Sequence, residues 1–134
     1  MCSDGLCVRE WGGGVAMERV MIVEDHSAFA QALELVLGQV DGTEVILART
    51  LEEGRALIRG SEPFDVAVLD LTLPDGEGTD LIAELRQRRP ETPVAILSAR
   101  KDVDEAASNV GADAAISKDT SLPDIISSLR RLAR

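Results

Sequence analysis

The sequence predicts one α/β domain, built as a doubly wound, five-stranded parallel sheet with five helices. Short apolar runs rich in branched side chains alternate strictly with segments of helical period from Arg19 to the end of the chain, which is the pattern of consecutive βαβ units. With 134 residues, of which 45% are hydrophobic, the chain is long enough to bury a core. We assign this domain to residues 18–134.

Five apolar runs are the strand candidates. Each run is apolar at successive positions rather than at alternate ones, which is typical of strands that are covered by helices on both faces of a sheet. The runs are 20–23, 45–48, 66–69, 94–97 and 114–116.

The first two helices are predicted from apolar spacing and from end signals. Apolar residues at helical spacing define the first helix, and Gly38 predicts its end. Thr50 and Glu53 form a capping-box pair that opens the second helix, and this helix is predicted to end near Gly60.

End signals and apolar spacing also predict the remaining three helices. Thr79 can cap the third helix, and Pro90 ends it. The fourth helix, around 103–110, is poor in large apolar residues and stops at Gly111. Ser121 caps the fifth helix, which presents a continuous apolar stripe.

Residues 1–17 form a leader without any period, and they contain three consecutive glycines. Ordering such a segment costs much conformational entropy, so we expect it to be disordered. Cys2 and Cys7 lie in this leader without partner cysteines downstream, which indicates neither a zinc site nor a disulfide framework.

The charge balance argues against several functions. Lys and Arg number 14 against 24 Asp and Glu, for a net charge of −10, and this charge repels nucleic acid and anionic membrane surfaces. No run approaches the roughly 18 apolar residues that span a bilayer. We expect a cytoplasmic protein that binds neither nucleic acid nor membrane directly.

Polar residues stand where the predicted strands end. Ligands of open parallel sheets bind beyond the carboxyl ends of the strands, so these residues are the candidates for chemistry. The first strand is followed by Glu24 and Asp25, the third ends at Asp70, the fourth at Ser98, and the fifth leads into Lys118.

Three converging carboxylates need a cation, because they otherwise raise one another's pKa. Mg²⁺ prefers oxygen ligands and needs few protein carboxylates. Asp25, Asp70 and a backbone carbonyl just after Asp70 would hold it, with Glu24 orienting a bound water. Lys118 and Ser98 could then contact a phosphoryl group. This set suits in-line attack of the Asp70 carboxylate on phosphorus.

The segments MIVEDH, DVAVLDLTLPDGEG, AILSA and AISK resemble the four signature segments of the bacterial two-component receiver domain, and the resemblance covers residues 19–134. It implies a flavodoxin-like fold with strand order 2-1-3-4-5. It also implies the site roles: phosphoacceptor Asp70, metal-binding acids Glu24 and Asp25, metal-binding carbonyl of Thr72, switch hydroxyl Ser98 and lysine Lys118.

The resemblance further implies a sensor histidine kinase or phosphotransfer protein as phosphodonor, and a possible homodimer through the fourth helix, fifth strand and fifth helix. The chain would be a signalling switch and not an enzyme. It departs from the family where Ala115 replaces the usual aromatic residue and Asp119 the usual proline. His26 and Asp119 resemble receivers that precede helix-turn-helix domains. A stand-alone receiver and the front half of a transcription factor both stay open.

Three alternative functions compete with this hypothesis. Haloacid-dehalogenase-type phosphatases place an acid two residues after their nucleophile, where this chain has Thr72. No glycine-rich phosphate loop of a nucleotide-binding module follows the first strand. A pseudo-receiver, which has the same fold but is never phosphorylated, usually lacks an acid or the lysine, and this chain keeps them all.

Overall fold

The computed structural model describes residues 18–60, 63–78, 80–99 and 111–133. The predicted leader, the predicted cap Thr79 and the fourth predicted helix at 103–110 lie outside the described residues. The prediction of five helices is therefore tested for four of them.

Five parallel strands form the main sheet, in the order β2-β1-β3-β6-β7. A two-stranded antiparallel hairpin, β4 and β5, lies between β3 and the third helix. Without the hairpin strands, the order is the predicted 2-1-3-4-5. The strands are β1 (Arg19–Val23), β2 (Glu44–Ala48), β3 (Val66–Asp70), β4 (Thr72–Leu73), β5 (Gly76–Glu77), β6 (Val94–Ser98) and β7 (Ala114–Ser117).

Within the described residues, four helices connect these strands or follow them. They are α1 (Ser27–Asp41), α2 (Leu51–Arg59), α3 (Asp80–Arg88) and α4 (Leu122–Leu132), the last being the fifth predicted helix. The predicted end of α1 at Gly38 is wrong, because the helix continues to Asp41. Gly42 ends it in the left-handed conformation at φ 66°, which a glycine adopts at little cost.

Two predicted caps are confirmed. The Thr50 hydroxyl accepts a hydrogen bond from the backbone N–H of Glu53, and the Ser121 hydroxyl accepts one from the N–H of Asp124. The Glu53 carboxylate accepts a hydrogen bond from the backbone N–H of Arg49 at 2.8 Å. In the usual capping box the donor is the N–H of the cap residue itself, which here is Thr50. These contacts satisfy helix N–H groups that have no partner within the helix.

The core consists of one apolar layer on each face of the sheet. One layer packs α2 and α3 against strand residues such as Met21 and Leu69, and the other packs α1 and α4 against strand residues such as Ile22 and Val68. All residues of β3 and β6 are buried, as expected for central strands covered on both faces. This sandwich fixes the strand ends that carry the polar residues.

Within the part of the chain that the structure describes, none of the helices has the length and apolarity needed to cross a membrane.

Candidate functional site

The parallel register brings the predicted site residues to one edge of the sheet. Val23 pairs with Leu69 and Asp70 pairs with Leu97, so the residue after β1 and the last residue of β3 stand side by side. Ser98 pairs with Ser117, and Lys118 follows directly. Glu24, Asp70, Ser98 and Lys118 therefore lie at the carboxyl edge of the sheet.

Lys118 lies between two carboxylates at this edge. Its Nζ donates hydrogen bonds to Glu24 Oε2 at 2.9 Å and to Asp70 Oδ2 at 3.2 Å, and it also lies 2.9 Å from Glu24 Oε1. The Phe29 ring of α1 lies below the ammonium, with its centroid 5.4 Å from Nζ. The ammonium is thus held by two anions and by the face of an aromatic ring.

The acids differ in exposure. Glu24 is 1% exposed and Asp70 6% exposed, whereas Asp25 is exposed to solvent. Glu24 Oε2 also accepts a hydrogen bond from the backbone N–H of His26 at 2.9 Å. Glu24 Oε1 is buried and receives no hydrogen bond from the described residues, although the lysine charge is close to it.

The electrostatics of the pair follow from this burial. Burial raises the pKa of Glu24, and it outweighs the opposing effects of the hydrogen bonds from Lys118 and His26. Burial by itself would lower the pKa of Lys118, but the hydrogen bond to Glu24 and the charges of Glu24 and Asp70 raise it overall. The lysine is therefore charged at neutral pH, whereas burial disfavours the ionised form of Glu24.

Three carboxylates at this edge are arranged so that they could share a cation. Glu24, Asp25 and Asp70 each offer an oxygen, and these oxygens all lie within 4.8 Å of one another. Lys118 is the cation that contacts Glu24 and Asp70, so the ionised acids outnumber it. Carboxylate oxygens suit a hard divalent ion with bound waters, and Glu24 Oε1 has a nearby charge but no hydrogen bond from the described residues, so the residues fit Mg²⁺.

The remaining predicted residues lie close by in the chain. Thr72 begins β4, two residues after Asp70, which places its backbone at the start of the hairpin. Ser98 is the last residue of β6 and is 2% exposed. Its backbone carbonyl accepts a hydrogen bond from the N–H of Lys118 at 2.9 Å, which joins the end of β6 to the residue after β7.

The structure also describes Ala115, Asp119 and His26, the residues that distinguish this sequence from the common family pattern. Ala115 is half-buried and packs against the core on the side of α2 and α3. Asp119 is exposed, and its backbone N–H donates to the Ser117 hydroxyl at 3.1 Å. His26 is exposed at the residue before α1, and its side chain makes no capping hydrogen bond.

Sequence reasoning missed three features of the site. These are the contact of the Phe29 ring with Lys118, the hairpin after Asp70 and the close approach of Gly78 to Asp70. Gly78, which closes this hairpin, lies against Asp70 so closely that a Cβ would collide with its backbone carbonyl. The turn-forming run Pro74-Asp75-Gly76 was the available signal for the hairpin.

Residues 20–130 match the family described as the response regulator receiver domain. The KDP operon transcriptional regulatory protein KdpE of Escherichia coli is 39% identical over 116 residues, which are 85% of this chain and 50% of that protein. The response regulator protein PilR of Pseudomonas aeruginosa is 37% identical over 92 residues, which are 69% of this chain and 20% of that protein. The chain thus spans half or less of these relatives.

Solved structures of this family are similar to this chain. The non-phosphorylated HemR receiver domain of Leptospira biflexa superposes with a TM-score of 0.77 at 32% identity, covering 86% of this chain and 93% of that chain. A response regulator of Burkholderia pseudomallei, solved with a phosphorylated aspartic acid, a calcium ion and citrate, gives 0.75 at 27% identity over 84% of this chain and 66% of that chain. The chain belongs to the response regulator receiver domains of two-component systems.

Proposed function

We propose that this chain, over residues 18–134, is a phosphorylation-dependent receiver that accepts a phosphoryl group from a histidine kinase or phosphotransfer protein onto Asp70 with Mg²⁺. The observation that carries the proposal is the contact of Lys118 Nζ with both Asp70 and Glu24, at 3.2 and 2.9 Å. A buried nucleophile with a cation beside it and a second acid behind that cation is suited to phosphoryl transfer.

The reaction would use the Asp70 carboxylate as nucleophile. One Asp70 oxygen forms a bond to phosphorus, in line with the bond that breaks to the donor. That bond is phosphorus–nitrogen for a phosphohistidine, whose imidazole leaves and takes up a proton, and phosphorus–oxygen for acetyl phosphate, which leaves as acetate. The product is an acyl phosphate on Asp70.

Lys118 would stabilise charge before and after the transfer. In the resting protein it pairs with Asp70 and Glu24. When Asp70 becomes an acyl phosphate, its carboxylate charge is replaced by charge on the phosphoryl oxygens, and the ammonium can follow that charge over a short distance. The pairing with Glu24 keeps Lys118 protonated throughout, since it raises the pKa of the lysine.

Asp25 and Asp70 would hold the Mg²⁺ with the backbone carbonyl of Thr72, and Glu24 would orient a bound water. The ion would neutralise charge on the phosphoryl oxygens. Two observations support this assignment: the oxygens of Glu24, Asp25 and Asp70 lie within 4.8 Å of one another, and the related Burkholderia pseudomallei structure contains a phosphorylated aspartic acid and a calcium ion.

Ser98 would report the phosphorylation to an output surface. Ser98 follows Leu97, which pairs with Asp70, and its hydroxyl could donate to the phosphoryl group, drawing the following loop inward. We propose that the fourth predicted helix, β7 and α4 form the output surface, which would serve for dimerisation.

Labelling with acetyl phosphate and Mg²⁺ tests the assignment of Asp70. Intact-mass spectrometry should show one added phosphoryl group in the parent and none in Asp70→Asn. Asp65→Asn is the matched control, because it replaces an aspartate at the opposite edge of the sheet, and it should be labelled like the parent. Label that persists in Asp70→Asn would assign the phosphoryl group to another residue.

A parent protein that takes up no label, while Mg²⁺ binds, would contradict the proposed phosphorylation and favour the alternative of an unphosphorylated pseudo-receiver that acts as a protein-interaction module.

A further inference from the structure

One side chain joins the hairpin after Asp70 to the first turn of α2. Asp75, at the tip of the hairpin, accepts a hydrogen bond from the backbone N–H of Leu51 through Oδ1 at 2.8 Å, and one from the N–H of Glu52 through Oδ2 at 3.3 Å. Such N–H groups have no partner within their own helix. Asp75 therefore caps α2 from a distant part of the chain.

The side-chain cap of α2 bonds to a different N–H group, so the N–H groups of Leu51 and Glu52 are the ones that donate to Asp75. The Thr50 hydroxyl accepts the N–H of Glu53 at 3.1 Å, and the Thr50 carbonyl accepts that of Gly54 at 3.0 Å. The hydrogen bond from Leu51 holds the pKa of Asp75 below its usual range, so the carboxylate is charged at neutral pH and interacts favourably with the positive end of the helix dipole. The contact between Asp75 and α2 is thus a charged one that joins two segments.

The hairpin between this tip and the phosphoacceptor is closed by its own pairing. Thr72 pairs with Glu77 and Leu73 with Gly76, and the N–H of Gly78 donates to the carbonyl of Leu71 at 2.8 Å. A paired hairpin moves as one unit, so a shift of its tip relative to α2 also shifts its base.

Contacts at both ends make this coupling tight. At the tip, Gly76 has a φ of +150° and lies so close to Leu51 of α2 that a Cβ would collide with the leucine side chain. At the base, Gly78 lies directly against the carbonyl of Asp70. The hairpin therefore lies close to α2 at its tip and close to the Asp70 backbone at its base, so a shift of the tip is expected to reach the backbone of Asp70 and Thr72.

We infer that Asp75 is a positioning residue of the metal site: through its hydrogen bonds to the first turn of α2, it fixes the hairpin and thereby the backbone of Thr72 beside Asp70. This inference rests on the proposed function, since it concerns the same Mg²⁺ ligands. It adds α2 to the elements on which metal affinity depends, although no α2 side chain is a proposed ligand.

The inference is tested by Mg²⁺ titration followed by NMR, with the parent, Asp75→Ala, Asp65→Ala and Asp25→Ala. Asp75→Ala should raise the Mg²⁺ dissociation constant about tenfold, the lower end of the range for residues that support metal ligands. Asp65→Ala is the matched control. It also loses an aspartate that accepts two backbone N–H groups, those of Glu18 and Arg19 at 2.6 and 3.0 Å, but at the amino edge, and it should leave the constant unchanged.

Amide hydrogen exchange gives a second measurement, which would not respond to Mg²⁺ if Asp75 had a purely structural role. If Asp75 positions the metal ligands, then by reciprocity Mg²⁺ must strengthen the contact between Asp75 and α2. Saturating Mg²⁺ should therefore slow exchange at the Leu51 and Glu52 amides in the parent several-fold. Exchange at the Glu18 and Arg19 amides should not change.

The outcomes separate this inference from the proposed function. If Asp25→Ala does not weaken Mg²⁺ binding, the proposed metal site is wrong. If Asp25→Ala abolishes binding but Asp75→Ala binds within twofold of the parent, or if Asp65→Ala weakens binding equally, the role of Asp75 is refuted. Should Asp75→Ala not fold, Asp75→Asn retains one acceptor oxygen, and it should still weaken binding threefold or more for the inference to stand.

Discussion

The two edges of the sheet use acidic residues in opposite ways. At the amino edge, Asp65 accepts two backbone N–H groups, and Asp113 accepts the N–H of Val94 at 2.8 Å and the guanidinium of Arg86 at 3.0 Å. Fixed donors of the protein itself thus pair with each of these acids, which join neighbouring segments.

At the carboxyl edge, three acids converge within 4.8 Å, and Glu24 and Asp70 share the ammonium of Lys118. One of these acids is almost completely buried, and its pKa is raised by that burial. Such an arrangement costs stability, which is common where residues are placed for function rather than for folding.

The difference shows how a structural acid can be told from a functional one in this fold. Asp65 and Asp113 are paired by donors from adjacent strands and helices, so adding a cation would gain little. Glu24, Asp25 and Asp70 face one another, so a divalent ion or a phosphoryl group changes their energies strongly. Three experiments exploit this contrast.

The largest effect is expected when the cation at each edge is removed. Lys118→Ala should slow labelling of Asp70 by acetyl phosphate about 100-fold, the typical loss when one charge-stabilising donor is deleted. Arg86→Ala, at the amino edge, loses contacts to Asp113 and to the carbonyls of Thr92 and Gly111. It should lose stability but keep the labelling rate of the folded protein.

Time courses by intact-mass spectrometry, at a temperature where both variants are folded, measure these rates. Equal slowing in the two variants would mean that the edges do not differ in function. Mg²⁺ binding should survive in Lys118→Ala, because removing a nearby cation reduces repulsion of the metal.

A smaller effect, of opposite sign at the two edges, is expected from neutralising an acid. Without metal, Glu24→Gln should stabilise the protein by about 1 kcal/mol at neutral pH, because burial disfavours the ionised form of Glu24. Asp65→Asn should destabilise it by about 1 kcal/mol, since a charge-assisted hydrogen bond is lost. Urea denaturation in the presence of a chelator measures both.

The pH dependence follows from the direction of the Glu24 shift. Its pKa in the folded protein lies above the ordinary value of 4.5, so the folded state binds the proton more tightly than the unfolded state. The contribution of Glu24 to stability is fully present below pH 4.5 and is lost as the pH rises through the folded pKa. The gain in the free energy of unfolding from Glu24→Gln should therefore vanish on acidification. A gain that persists at low pH would contradict this explanation.

The fold was predictable because its strands are buried on both faces. Continuous apolar runs located all five main strands within one residue at each end. The end of α1 was misplaced because Gly38 resembles a helix stop, while the left-handed residue is Gly42. The hairpin of β4 and β5 was missed because two-residue strands carry no periodicity.

The candidate site was predictable to the level of strand ends. Parallel strands present their carboxyl ends at one edge, so Glu24, Asp25, Asp70 and Lys118 could be grouped from the sequence. Pairing within that group depends on side-chain packing. The contact of Lys118 with Glu24 and the position of the Phe29 ring below the ammonium join residues that are distant in the sequence, so no local pattern specifies them.

The smallest expected effect is a conformational change at the carboxyl edge and in the segment that joins β6 to β7. Beryllium fluoride, which mimics an acyl phosphate, should shift the amide NMR signals of residues 98–118, and the amino-edge amides of Val20 and Val66 should stay in place. The route begins at Ser98, whose carbonyl already accepts the Lys118 N–H, so a hydroxyl drawn to the phosphoryl group also moves the loop after β7. Ala115 offers only a methyl group, so no aromatic ring at this position takes part.

A ligand shifts a conformation only through contacts that differ between the two states, and the Ser98 hydroxyl is the new contact available here. In Ser98→Ala the shifts of residues 111–118 should therefore shrink to less than half, while the amides next to Asp70 still respond to the bound fluoride. The second response shows that the variant binds the mimic, so a weak effect at 111–118 cannot be attributed to lost binding. Equal shifts in parent and variant would show that the signal leaves Asp70 by another route.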